Sequence, residues 1–297
     1  MTADYKVAEH LFRVIIPDGQ TLGMDNYAPF AVQADKKPLF TLDVAAGEAP
    51  ELTGLELVID QGAEPGETVL SLWRLEGGHG WLVKMAPSPG RPMSGFLTLS
   101  ADFKASKLYV LRPQEAEFAL NNSLMLQYAF ATATLGTLEM HASTVVNNGQ
   151  AYLFLAKSGT GKSTHSKMWL KAIPGTHLMN DDNPVVRTFA DGRVIAYGSP
   201  WSGKTPCYKN ESFPVGAFVR IVRAPENHLE KMSVVEAYAS VYSSCSGFKA
   251  DRAMGDGLHS AISAAIQGAP SFAMHCLPDE DAARVCFDGI AWEGARS

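Results

Sequence analysis

One stretch has residue types whose order could do phosphate chemistry: Ala151-Tyr152-Leu153-Phe154-Leu155, then Ala156-Lys157-Ser158-Gly159-Thr160-Gly161-Lys162-Ser163-Thr164. An apolar β-type run enters a loop of small residues, and a helix follows with Lys162 and Ser163 in its first turn. Gly159 and Gly161 let the backbone wrap closely and turn its N–H groups inward as an anion nest. The helix start adds the positive end of its dipole. Lys162 can reach the β- and γ-phosphates of a nucleoside triphosphate, and the Ser163 hydroxyl can ligate Mg²⁺. Ser158, Gly159, Thr160, Gly161, Lys162, Ser163 and Thr164 are therefore the candidate nucleotide-binding residues. Ala156 replaces the first glycine of G-x-x-x-x-G-K-[ST], which is tolerable where φ is negative. The competing reading is a glycine-rich turn with an incidental lysine.

A second group follows in Asn180-Asp181-Asp182-Asn183-Pro184, after the short apolar approach Leu178-Met179. Adjacent carboxylates repel unless a cation intervenes. Beside a phosphate loop, Asp181 and Asp182 are candidates for metal binding and for general-base work. A solvated Asp-Asn-Pro turn is the alternative.

These residues need elements to position them. The helix after the loop runs to Pro174-Gly175, which stop it. From His141 onward, strands and helices are expected to alternate, as in a nucleotide-binding α/β layer fold. A helical stripe of Leu124, Tyr128, Ala131, Leu135 and Leu138, starting near Asn121-Asn122-Ser123, leads into that region. The preceding residues read as short strands with period-2 alternation: Phe40 to Val44, Leu55 to Asp60, Val69 to Leu75, Trp81 to Met85, Gly95 to Leu99 and Lys107 to Leu111. Pro87, Pro89 and Pro92 mark a loop. The expected architecture is α/β: a β-rich domain over 1–118, without an evident chemical cluster, and a P-loop domain over 119–297.

The chain of 297 residues can hold two such cores. A net charge of −6 gives no global attraction to nucleic acid or anionic membrane. No apolar run is long enough to span a bilayer, and the first residues lack an export pattern. Cys207, Cys245, Cys276 and Cys286 are scattered without zinc-ligand spacing, as in reduced thiols of a cytoplasmic protein. The expected location is the cytoplasm, with no nucleic-acid or membrane partner. A homo-oligomer stays open.

Leu155 to Thr164 followed by Asp181-Asp182 resembles the HPr kinase/phosphorylase and phosphoenolpyruvate carboxykinase group of P-loop enzymes, closest to smaller HPr-kinase-like bacterial proteins. Met140-His141-Ala142-Ser143 adds to it, being similar to the His-Gly that precedes the loop in HPr kinases. The resemblance covers about residues 120–290. It implies ATP, Mg²⁺ and transfer of the γ-phosphoryl group to a hydroxyl on a protein, peptide or metabolite. It also implies that His141 lies near the transferred phosphate and that Asp181 and Asp182 divide metal binding and base work between them.

The glycine-rich, arginine-containing signature that HPr kinases carry after the aspartates has no counterpart here. In its place stands Tyr197-Gly198-Ser199-Pro200-Trp201-Ser202-Gly203-Lys204-Thr205-Pro206, whose composition says loop. Lys204, or Arg220 and Arg223 on the next strand, could supply the second cation that developing phosphoryl charge requires. Two other functions fit the residues: a carboxykinase-like enzyme, or a nucleotide-switched binding protein in which the β-rich domain holds the partner.

Overall fold

The computed structural model describes residues 1–45, 51, 53–62, 68–203, 205–249 and 251–294. It is a mixed α/β protein with two large sheets, and its chain forms two compact units, Met1–Ala131 and Thr132–Ser297.

The first unit is built on a nine-stranded sheet of β1 (Thr2–Val7), β2 (His10–Ile15), β3 (Ala31–Val32), β4 (Phe40–Val44), β5 (Glu56–Gln61), β6 (Val69–Arg74), β7 (Gly80–Ala86), β8 (Gly95–Ser100) and β9 (Ala105–Val110). Their spatial order is β3-β1-β2-β4-β9-β8-β7-β6-β5. Alternation fixes the faces. In β4, Phe40, Leu42 and Val44 are buried while Thr41 and Asp43 are less so. Helix α1 (Ala116–Thr132) belongs to this unit. Its Tyr128 hydroxyl donates to the Val7 carbonyl at 3.1 Å, and Gln127 accepts from Ser106 at 2.6 Å and donates to the Phe103 carbonyl at 3.0 Å.

The stripe expected to continue through Leu135 and Leu138 does not. The helix ends at Thr132, Leu135 is exposed, and Leu138 lies in a strand. Gly136 makes the break with φ +64°, and a Cβ there would come within 2.9 Å of the Thr188 carbonyl oxygen.

The second unit contains β10 (Thr137–Glu139), β11 (Ala142–Asn147), β12 (Gln150–Leu155), β13 (His177–Asn180), β14 (Val185–Thr188), β15 (Val194–Tyr197), β16 (Ser212–Arg223), β17 (His228–Lys231) and β18 (Ser271–Cys276). Its helices are α2 (Lys162–Ala172), α3 (Val234–Tyr242), α4 (Arg252–Gly268) and α5 (Glu280–Gly294). Strand order is β10-β14-β15-β16-β12-β11-β13, with β18 pairing β16 and β17 pairing β18. The expected alternation of strands and helices is only partial: β12 leads into α2, β17 into α3 and β18 into α5. Hairpin-type antiparallel pairs such as β11·β12 and β14·β15 replace the rest, and the parallel pairs are β12·β16 and β16·β18.

One face of this sheet is closed by α2 and α5. Trp169 is fully buried, with its ring 4.9 Å from Tyr152, 5.4 Å from Phe154 and 5.5 Å from Phe287. Its indole N–H donates to His165 at 3.1 Å, and burial pushes the His165 pKa down to about 4, which keeps that imidazole a neutral acceptor at neutral pH. All four cysteines are buried and unbridged. Among the described residues, no helix is long and apolar enough to cross a membrane.

Candidate functional site

β12 delivers the chain into the glycine-rich loop, and α2 leaves it. Gly159 has φ +73° and Gly161, the N-cap of α2, has φ +130°. An L side chain rarely adopts either conformation. A Cβ at either position would meet no atom within 4 Å, so the space beside these backbones is open. Ala156 is buried and lies outside the positive-φ region, which removes the need for glycine there. The Arg223 guanidinium donates to the Gly159 and Thr160 carbonyls and so holds two loop acceptors in place.

Lys162, on the first turn of α2, is only 7% exposed. Its Nζ lies 2.9 Å from His141 Nε2 and donates to the Ala156 carbonyl at 3.3 Å. Burial lowers its pKa from the ordinary value, Asp182 and Asp181 oppose that shift, and Arg220 adds to it. The same His141 Nε2 is 3.3 Å from Asp182 Oδ1, so this nitrogen stands between the loop lysine and the carboxylate and can hydrogen-bond only one of them at a time. His141 is positioned by its backbone, whose N–H donates to the Ser244 carbonyl at 2.7 Å beside the Met140–Cys245 bridge. The Ser243–Ser246 segment thus acts as a backbone support, with the Ser246 N–H also donating to the Glu139 carbonyl at 2.9 Å.

The two aspartates sit differently. Asp181 is 4% exposed, and its Oδ1 accepts from the Ser143 hydroxyl at 2.8 Å. Ser143 spends its hydrogen on Asp181, so Ser166 is the donor in the 2.5 Å contact between the two hydroxyls. A relay from α2 through β11 thereby fixes Asp181. Asp182 is more open, with its side chain 34% exposed and its Oδ2 accepting from Asn183 Nδ2 at 3.1 Å.

Asn180 shapes this turn. Its Oδ1 accepts from the Asp182 and Asn183 N–H groups at 2.9 and 2.8 Å, and its Nδ2 donates to Ser199 Oγ and the Trp201 carbonyl. The loop after β15 is thus tied to the aspartate turn. At Gly203 an added Cβ would come 3.1 Å from the Asp182 Cβ, so that backbone runs directly against the carboxylate. Lys204, the loop residue singled out in the sequence, lies outside the described residues.

Two clefts adjoin the loop. One, of about 350 Å³, has apolar walls from Met168, Ile221, Ala224, Leu277 and Pro278. The other, of about 380 Å³, is basic, with Lys157, Arg220 and Arg223 around Ser158.

No protein-family model and no curated relative matches the chain. Among solved structures it is similar to the Hpr(Ser) kinase/phosphatase from Coxiella burnetii, with 14% identity and a TM-score of 0.25 over 33% of this chain and 78% of that one. At that score the likeness decides neither fold nor activity. The side chains have to carry the chemistry.

Sequence reading missed Ser143, Ser166 and Asn180, which are ordinary strand, helix and turn residues until the fold brings them to the aspartates. It also missed Glu139. This carboxyl at the end of β10 is 1% exposed, and among the described residues neither oxygen makes a well-formed hydrogen bond. Burial pushes its pKa from 4.5 up to about 7, Ser246 offsets part of that shift, and the Asp182 charge adds to it. Between those two pH values the folded protein binds more protons than the unfolded chain, so stability falls as pH rises from 4.5 through 7. The loss amounts to about 3 kcal/mol above pH 7. Glu139→Gln should therefore be more stable than the parent in denaturant titrations at pH 8, with the gap closing toward pH 5. An equal gap at both pH values would mean that Glu139 ionisation carries no such cost.

Proposed function

We propose that the protein is an ATP-dependent, Mg²⁺-requiring kinase that transfers the γ-phosphoryl group to a hydroxyl. The observation that carries this reading is the convergence of Lys162, His141 and Asp182 within hydrogen-bond and ion-pair distances at the mouth of a glycine-rich anion nest. A nucleotide-gated binding module needs the nest and metal ligands but has no use for a second, open carboxylate beside them.

In this reading the backbone N–H groups of Gly159 to Ser163, with the α2 dipole, hold the phosphates. Lys162 leaves His141 to contact the β- and γ-oxygens. The donors Ser163 and Asp181 are hard oxygens suited to Mg²⁺, and Asp181 is pre-oriented by Ser143. When bound, Mg²⁺ neutralises charge on the transferring group. Asp182, open to the loop at Gly203, accepts the proton of the attacking hydroxyl, with His141 beside it. Arg220, in the basic cleft, supplies the second cation. The apolar cleft beside Thr164 and Met168 takes the nucleobase.

The test uses ATP labelled in the γ-phosphate, the purified protein and fractions of a native lysate. One labelled product whose phosphate is bonded to a hydroxyl oxygen should form with the parent and not with Asp182→Asn. Mg²⁺-dependent ATP binding without any labelled product across all fractions would favour the nucleotide-switch reading.

A further inference from the structure

A second constellation lies one strand beyond β16, on the edge pair β17·β18. In the antiparallel register His228 stands directly opposite His275, and Glu230 stands opposite Ala273. Residues two apart on a strand share a face, so His228, Glu230 and His275 project together. Leu229, between the first two, points the other way into the packing with α5, where a Cβ on Gly289 would come 2.7 Å from its side chain. The start of β17 is fastened as well. Asn227 donates to Asp279 and Asp281 at 3.0 and 3.1 Å and accepts from the Leu277 N–H at 2.9 Å.

The two imidazoles lie stacked and parallel, with centroids 4.5 Å apart and planes 4° apart, so one ring has to turn for both Nε2 lone pairs, which lie in the ring planes, to meet at one ion. Glu230 reaches both. Its Oε1 is 3.4 Å from His228 Nε2, and its Oε2 is 3.7 Å from His275 Nε2. Each residue can offer one ligand atom such that all three lie within 4.8 Å of one another. Nδ1 of His228 is buried, which leaves Nε2 as the nitrogen able to ligate. Metal–nitrogen and metal–oxygen bonds of about 2.1 Å arranged tetrahedrally separate neighbouring ligand atoms by about 3.4 Å. The two Glu230–histidine spacings, 3.4 and 3.7 Å, are near that value. The side chains remain 41%, 63% and 28% exposed for His228, Glu230 and His275, so water can complete the coordination.

We propose that His228, Glu230 and His275 form a binding site for a divalent transition metal of the zinc class. Two imidazoles and one carboxylate suit zinc better than magnesium, which takes oxygen ligands. The site is separate from the aspartate pair. Glu230 aligns with Ala273 and Ala273 with Arg220, placing it two strands from the basic cleft on the same sheet face. A bound ion would cross-link the edge strand β17 to β18, and this role does not depend on the kinase reading.

The test is a Zn²⁺ titration of the full chain against a chromophoric chelator, with circular dichroism to confirm that each variant is folded. The parent should bind an equivalent of Zn²⁺ that Asp182→Asn keeps. His275→Gln and Glu230→Gln should each weaken that equivalent at least tenfold, and His228→Gln/His275→Gln should abolish it. The proposal is overturned if the parent takes up no stoichiometric Zn²⁺ against the chelator. It is equally overturned if the double variant binds as the parent does, or if Asp182→Asn loses the equivalent while His275→Gln retains it.

Discussion

Asp182→Asn is expected to lower single-turnover phosphoryl transfer by roughly 10²–10⁴, the range for loss of a positioned general base, while Mg²⁺-dependent ATP affinity stays near that of the parent. Asparagine keeps the shape of the side chain and can still face Asn183 and His141. It cannot take a proton from an incoming hydroxyl. Of the two carboxylates, Asp182 is the one exposed toward the Gly203 backbone and free of a hydroxyl donor, so an acceptor can approach it.

Asp181→Asn should fail differently. Asp181 is buried and already oriented by the Ser166–Ser143 relay, the arrangement expected of a fixed metal ligand. An amide is a poorer ligand for Mg²⁺ than a carboxylate, so this variant should weaken Mg²⁺–ATP binding itself. Calorimetry with and without Mg²⁺, alongside single-turnover transfer, separates the two. Parental rates in both variants would reduce the pair to a turn and leave the anion nest as a binding device only.

What the sequence made legible was whatever is contiguous. The loop from Ala156 to Thr164 carries its own strand, glycines and helix start, so its geometry could be anticipated without knowing the rest of the chain. The strand at Phe40 to Val44 was equally plain, because its alternation is unbroken. By contrast, the β1–β2 hairpin turns at Ala8 and Glu9, which take φ +44° and +66° without the Asn-Gly or Gly that usually marks such a turn. The false extension of α1 has the opposite cause. Leu135 and Leu138 continue a helical spacing by coincidence, and only Gly136 marks the break.

The site is legible to the same degree. Asp181 and Asp182 stood out because two adjacent carboxylates are costly, and the resemblance drew attention to His141. Their partners did not stand out. Ser143 and Ser166 are 23 residues apart and meet only because β11 pairs with β12 and α2 packs back over them. Glu139 occupies the last position of a three-residue strand, where alternation says little about burial. These are properties of topology, and single-chain patterns do not encode the order β16-β12-β11-β13 in any local stretch.

Lys162→Ala should lower ATP affinity by about 2–4 kcal/mol, the cost of a charge-assisted phosphate contact in a partly closed site. That corresponds to roughly 30- to 1,000-fold in dissociation constant. A structural lysine would behave otherwise. Lys162 is buried, and among the described residues its partners are an imidazole nitrogen and one carbonyl oxygen, with no direct carboxylate contact to compensate the desolvated charge. Removing it should therefore change stability little, since the desolvation cost disappears with the contacts. Lys162→Met, which keeps most of the apolar stem, controls for lost packing and should show the same affinity loss. Isothermal titration with Mg²⁺–ATP and a thermal melt without nucleotide give the two readouts. Affinity within a few-fold of the parent in both variants would mean that the loop between β12 and α2 does not hold phosphate through this lysine. A collapse of the melt with unchanged affinity in the surviving folded fraction would reassign Lys162 to the fold.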